Sequence, residues 1–207
     1  MDSIQQSLVP TSPSTITVRH LRCQQAGEVV RRLLDVNPAV VGLSVGRLLP
    51  TGVIESIAFA TSKEVFLLKL ETGGSKKSPL STLDLSGILD KFNLAAFNMA
   101  QVALHIFRGS RQHVRGVDLS TLLSSSTKKP WQPSRFVTQL LCPEARKAEI
   151  DRLWDSDPEC GSREVCLRAW LSARQASRLY PWMFGLAELI TKCCRTLCSR
   201  HSERYQG

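Results

Sequence analysis

The chain has 207 residues, 43% of them hydrophobic, a formal charge of +9 and seven cysteines. That apolar content suffices for one substantial core and excludes a wholly disordered chain, while seven irregularly spaced cysteines argue for reduced thiols over a disulfide framework. No apolar run nears the roughly 20 residues of a bilayer span, and "MDSIQQSLVPTSPST" has neither a basic patch nor a secretory apolar segment, so a soluble cytoplasmic or nuclear protein is expected.

Residues 1–14, rich in Ser, Thr, Gln and Pro, are expected to form a flexible arm, followed by a single domain over 15–207. "TITV" is a short extended piece. In "AGEVVRRLLDV" the residues Val29, Val30, Leu33 and Leu34 recur at helical spacing. "PAVVGLSVGRLL" is a continuous apolar run, as in a strand buried on both faces. "VIESIAFAT" and "EVFLLKL" are the next two strands, and "ETGGSKKSP" reads as a loop. "LSTLDLSGILDKF" carries Leu80, Leu83, Ile88 and Leu89 on a helical stripe, with Ser81 and Asp84 in a capping arrangement. "NLAAF" then makes a fourth strand, "NMAQVALHIFRG" a helix ended by Gly109, and "VRGVDL" a fifth strand. From Leu119 the pattern is mostly helical, through "STLLSSS", "PSRFVTQLL", "PEARKAEIDRLW" and a long segment from Ser162 that Pro181 should kink or divide. This order predicts an α/β domain with a mixed five-stranded sheet flanked by helices and a mostly helical C-terminal part.

Four stretches also carry a likeness. "AVVGLSVGR", "VIESIAFATSKEVFLLKL", "LSGILDKFNLAAFNMAQVALHIF" and "RLWDSDPECGSREVCLRAWLSARQASRLY" are similar, in this order, to the first strand, the next two strands, the second motif and the third motif of the DEDD 3′-5′ exonuclease family. The branch they resemble is that of ribonuclease D and the Werner-type exonuclease domains, over about Thr15 to Leu189, and the fold it implies is ribonuclease-H-like. In that family four carboxylates hold two divalent metals, one activating the attacking water and the other stabilising the leaving oxygen.

The resemblance places those carboxylates at Ser44 and Gly46, at Val102 and at Ser172, with a tyrosine or histidine helper near Arg168. None of the four is an acid, and a slip of one or two residues supplies none. No acid lies between Asp35 and Glu55, from Lys91 to Val117, or between Glu164 and Glu188. Serine hydroxyls and a valine do not offer the charged oxygen ligands that hard divalent metals take. What the resemblance then implies is a pseudo-exonuclease: no enzyme, no metal, no cofactor, and a role as scaffold or adaptor in RNA processing or RNA silencing. Two other readings stand beside it, an active 3′-5′ exonuclease on RNA or DNA with displaced acids, and a purely protein-binding subunit.

Remaining signals concern partners. Residues 163–207 hold eight Lys/Arg against three Asp/Glu, which suits nucleic acid or an acidic protein, although a solvated arginine-rich face is the commoner use of such a segment. Arg108, Arg111, Arg115, Lys128 and Lys129 are the candidates to touch phosphate and give weak nucleic-acid binding; a solvated connection is the alternative reading, slightly favoured. Trp182 and Phe184, in the apolar "YPWMFGLAELI", are the expected contacts of a protein partner in an RNA-processing assembly. Cys193, Cys194, Cys198 and His201 could share a metal only in a strained arrangement within nine residues, so ordinary thiols are expected. His105 and His113 have no cysteine or carboxylate near them in sequence to form a nucleophilic pair, so a core or surface role is expected. The tryptophans at 131, 154 and 170 are expected to complete a core.

Overall fold

Three consecutive apolar stretches, "VGLSVGRL", "IESIAFA" and "EVFLLK", become neighbouring strands because both faces of the sheet they form are covered. In the computed structural model, which describes residues 2–48, 54–70, 80, 83–122, 130–155 and 161–180, these are β3 (Val41–Leu48), β4 (Ile54–Ala60) and β5 (Glu64–Lys69). They sit centrally in a seven-stranded mixed sheet with β1 (Asp2–Gln5), β2 (Thr15–Arg22), β6 (Leu94–Ala96) and β7 (Gly116–Asp118), in the order β1-β2-β5-β4-β3-β6-β7. The pairs β2–β5, β3–β6 and β6–β7 are parallel and the others antiparallel.

Strand pleating sends alternate residues to opposite cores. One face receives Leu43, Ile57, Phe59, Phe66 and Leu68, covered by α1 (Ala26–Val36), α2 (Ser86–Leu89) and α3 (Met99–Ser110). The other receives Val18, Ala58, Ala60, Val65 and Leu67, covered by α5 (Pro133–Leu140), α6 (Lys147–Asp155) and α7 (residues 162–180). Between them a short α4 (Leu119–Leu122) follows β7. Each fully buried Val, Leu or Phe contributes about 1.5–3 kcal/mol. The mixed α/β architecture matches the sequence expectation. No helix among the described residues is long and apolar enough to cross a membrane.

The structure corrects the strand count and the arm. Residues 15–22 are a full strand rather than an extended piece, because they pair in parallel with β5 along Thr17–Arg22 and bury Val18 completely. Residues 2–5 of the expected flexible arm pair with them as β1. The intervening loop is organised by the Gln6 carboxamide, which donates to Pro13 O at 2.6 Å and accepts from Val9 N at 3.1 Å. Leu8 and Val9 are buried in the second core, and Arg146 N donates to Leu8 O. Composition does not show these anchors, because they are set by strand pairing, by the Gln6 hydrogen bonds across the loop and, at Leu8, by Arg146 from far along the chain.

Helix ends differ as well. α2 spans only Ser86–Leu89, and Asp84 accepts from Ser86 N at 2.9 Å in a turn before it; Ser81 lies outside the described residues. Gly109 remains helical, and α3 ends where Arg111 takes the left-handed conformation at φ 62°.

Candidate functional site

The site implied by the family resemblance lies where α7 crosses β3. A Cβ at Gly42 would stand 2.6 Å from Ala173 N and 3.0 Å from the Ala169 carbonyl carbon, and closer still to the Ala169 oxygen. At Gly46 it would stand 2.5 Å from Val165 Cγ2, against the Ser56 hydroxyl. Glycines on the strand and alanines on the helix therefore let two backbones approach with almost nothing between them. Ser44 lies between the two glycines on the same pleat face, 4% exposed, and is paired across the ladder with Ala58.

Ser172 is fully buried on α7, where its hydroxyl donates to Arg168 O at 2.9 Å, one turn back. Arg168 Nε in turn donates to Leu153 O at the end of α6 at 2.5 Å. Val102 is buried in the core on the other side of the sheet, with Leu43 and Met99. The structure thus brings Ser44 and Gly46 against α7 and sends the Val102 side chain to the opposite core. Among the described residues no group of three or more His, Cys, Asp or Glu side chains is placed to hold a metal ion. Other carboxylates have structural partners: Asp118 accepts from Ser120 N and Oγ, Asp151 accepts from Ser134 N and Oγ, and Glu64 pairs with Arg19 at 2.8 Å.

Among the residues expected to touch nucleic acid, Arg108, Arg111 and Arg115 are brought to one edge by the end of α3 and the loop into β7. Arg108 is in the last turn of α3, Arg111 caps it with its guanidinium 5.8 Å from the Phe107 ring centre, and Arg115 is exposed just before β7. None of the three forms an ion pair among the described residues. The loop is held by Gln112, which donates to Leu83 O at 2.6 Å and accepts from Leu85 N at 2.9 Å. Lys128, Lys129, Trp182 and Phe184 lie outside the described residues, as do Cys193, Cys194, Cys198 and His201.

The His113 ring packs 4.9 Å from Phe107, tilted by 40°. His105 has a buried Nε2 without a hydrogen-bond partner among the described residues, and burial, aided by the Arg108 charge, lowers its pKa from the ordinary 6.5. Cys166 is a buried thiol pushed up to about 12, first by burial and then by the Glu164 charge, so it stays protonated and unreactive at neutral pH. Trp170 is fully buried, donating to Ser62 O, and Trp154 meets Phe97 edge-on at 5.1 Å, both as core members. Trp131 is half-buried, with the Arg135 guanidinium 4.3 Å over its ring.

Sequence reading missed Gln175. It is fully buried on α7, and neither its amide nitrogen nor its oxygen has a hydrogen-bond partner among the described residues. The available signal was its spacing, three residues after Ser172 and seven after Arg168, which puts all three on one helical stripe.

No protein-family model and no curated protein sequence matches the chain. Solved structures do. NrnC from Brucella melitensis, bound to pGG, aligns over 93% of this chain and 95% of its own at 12% identity, with a TM-score of 0.53. The EXO domain of Nibbler from Aedes aegypti aligns over 80% and 90% at 13% identity, with a TM-score of 0.51. The EXD2 exonuclease domain soaked in Mn and GMP aligns over 86% and 94% at 15% identity, with a TM-score of 0.40. At such identities the likeness is one of fold, and the fold is that of exonuclease domains. The sequence expectation that the chain is not an enzyme is corrected by this finding. Its structural neighbours are exonuclease domains, and neutral residues at four aligned positions do not demonstrate inactivity.

Proposed function

We propose that this 3′-5′ exonuclease-like domain acts as a scaffold or adaptor, in the cytoplasm or nucleus, within an RNA-processing or RNA-silencing assembly. What supports it is the close packing of α7 on β3 through Gly42 and Gly46, which fills the space beside Ser44 with backbone and small side chains. Beside it, three exposed arginines without ion pairs among the described residues lie at the α3–β7 edge. Arginine guanidinium groups hold phosphates through charge-assisted, often bidentate hydrogen bonds, and this edge is the proposed weak contact with single-stranded nucleic acid. The protein contact is assigned to "YPWMFGLAELI", in which Trp182 and Phe184 supply apolar anchors.

Affinity for single-stranded RNA is measured across a salt series, beside a pull-down from cell extract with Trp182→Ala and Phe184→Ala. Weak, strongly salt-dependent RNA binding together with loss of a defined set of RNA-processing partners in the aromatic variants is the expected result. Tight RNA binding that persists at physiological salt, with partners unaffected, overturns the adaptor reading. Shortening of end-labelled oligonucleotides with added manganese is measured alongside, because the fold is one that exonuclease domains use.

A further inference from the structure

A recess of about 700 Å³ opens beneath the N-terminal ends of β6 and β7, at the edge of the sheet beyond β3. Its floor is apolar, made by Leu89 at the end of α2, Phe92 in the turn that follows, Leu94 of β6 and Val117 of β7. Its rim is polar and exposed: Asp90 and Asn93 from the α2 side, His113 and Arg115 from the loop into β7. A volume between roughly 300 and 1,000 Å³, a mainly apolar lining and a few polar groups are what small-molecule sites have in common.

The walls are held in place independently of any ligand. Asn93 Nδ2 donates to Ala39 O at 3.3 Å, and Asn93 O accepts from Val41 N at 2.8 Å. Gly116 stands so close to β6 that a Cβ there would lie 2.8 Å from Leu94 O. The loop is anchored by the two Gln112 hydrogen bonds, and His113 packs on Phe107. Arg115, which has no ion pair among the described residues, is the one fixed cation among the lining groups.

We propose that this recess binds one nucleotide, a nucleoside monophosphate that is either free or the terminal unit of a single strand. Arg115 holds its phosphate, the apolar floor receives the base, and Asp90 and Asn93 meet ribose hydroxyls or the base edge. An acceptor carboxylate and a carboxamide above an apolar floor are chemistry that inorganic phosphate or a lipid headgroup leaves unused. The inference rests on the nucleic-acid contact proposed above and gives it a defined site.

The test is calorimetric titration of the full chain with AMP, GMP, CMP and UMP, with the matching nucleosides, with inorganic phosphate, and with a terminally phosphorylated single strand. At least one monophosphate should bind about tenfold more tightly than its nucleoside or phosphate, and Arg115→Ala should remove about that factor, as loss of a charge-assisted hydrogen bond does. Lys63→Ala, in the exposed connection between β4 and β5 and outside the recess, should leave mononucleotide affinity unchanged, and thermal melts verify that both exposed-site variants fold. If Arg115→Ala also weakens the phosphorylated strand, a strand end is the occupant; if it weakens only the monophosphate, the free nucleotide is. No monophosphate binding at roughly millimolar concentration, or equal losses from Lys63→Ala and Arg115→Ala, overturns the recess. Monophosphate binding without any binding of single-stranded RNA keeps the recess and overturns the assembly reading.

Discussion

Replacing Gly42 by alanine tests the contact on which the candidate site depends. The added methyl would meet backbone on α7: Ala173 N at 2.6 Å, the Ala169 carbonyl carbon at 3.0 Å, and the carbonyl oxygen closer still. Overpacking a core costs roughly 1–3 kcal/mol, and more when the obstruction cannot rotate away. Here it cannot, because relieving the clash moves the helix off the strand, so a loss of about 3 kcal/mol or more is expected. For a protein of this size each kcal/mol shifts Tm by about 2–4 °C, which puts the drop near 6–12 °C. Gly46→Ala should lose less, about 1–2 kcal/mol, since its nearest obstructions are the Val165 and Ser56 side chains, which can adjust. Gly27→Ala, in the first turn of α1 with nothing within 4 Å of its Cβ, should instead gain about 0.4–1 kcal/mol through reduced freedom of the unfolded chain. Thermal and urea unfolding of the three variants gives the order directly. A Gly42→Ala protein within about 1 kcal/mol of the parent, or one more stable than Gly46→Ala, would refute direct helix-on-strand packing and the account of the site with it.

Three further outcomes are expected. Gln175→Met, which removes two buried polar atoms without partners among the described residues while keeping the side-chain length, should stabilise the fold by about 1–3 kcal/mol in urea titration. His105 is held below its ordinary 6.5 by burial and Arg108, so between the folded and unfolded values the unfolded chain binds more protons. Stability should therefore rise with pH through that window and fall as pH drops through it, and His105→Gln should flatten the slope in melts run from acid to neutral pH. Arg108→Ala and Arg111→Ala should each reduce the salt dependence of single-stranded RNA binding by about 0.7 in the log–log slope, as expected for one phosphate contact apiece.

Periodicity alone located β3 to β7, α1, α3, α5 and α6, because those segments bury a continuous run or one clear face and so display a pattern of 2 or 3.6 in their residues. The likeness of "AVVGLSVGR" and its successors to exonuclease motifs likewise made the fold legible, since an apolar frame is what a sheet covered on both faces requires. β1 and β2 were less legible: the polar, proline-rich stretch holding β1 read as an arm and the start of β2 as a short extended piece, and only the pairing of β1 with β2 and of β2 with β5 made them strands. Nor could the sequence show what Gly42 and Gly46 are for. A glycine in a strand is locally a weakness, and its use appears only when a helix more than a hundred residues later lies against it. The recess at β6 and β7 belongs to the same class, because Asp90, Asn93, His113 and Arg115 have little in common along the chain until parallel pairing of β6 with β7 brings them to one rim. Local pattern set the elements and their apolar faces; non-local backbone pairing decided which small, polar and charged residues meet.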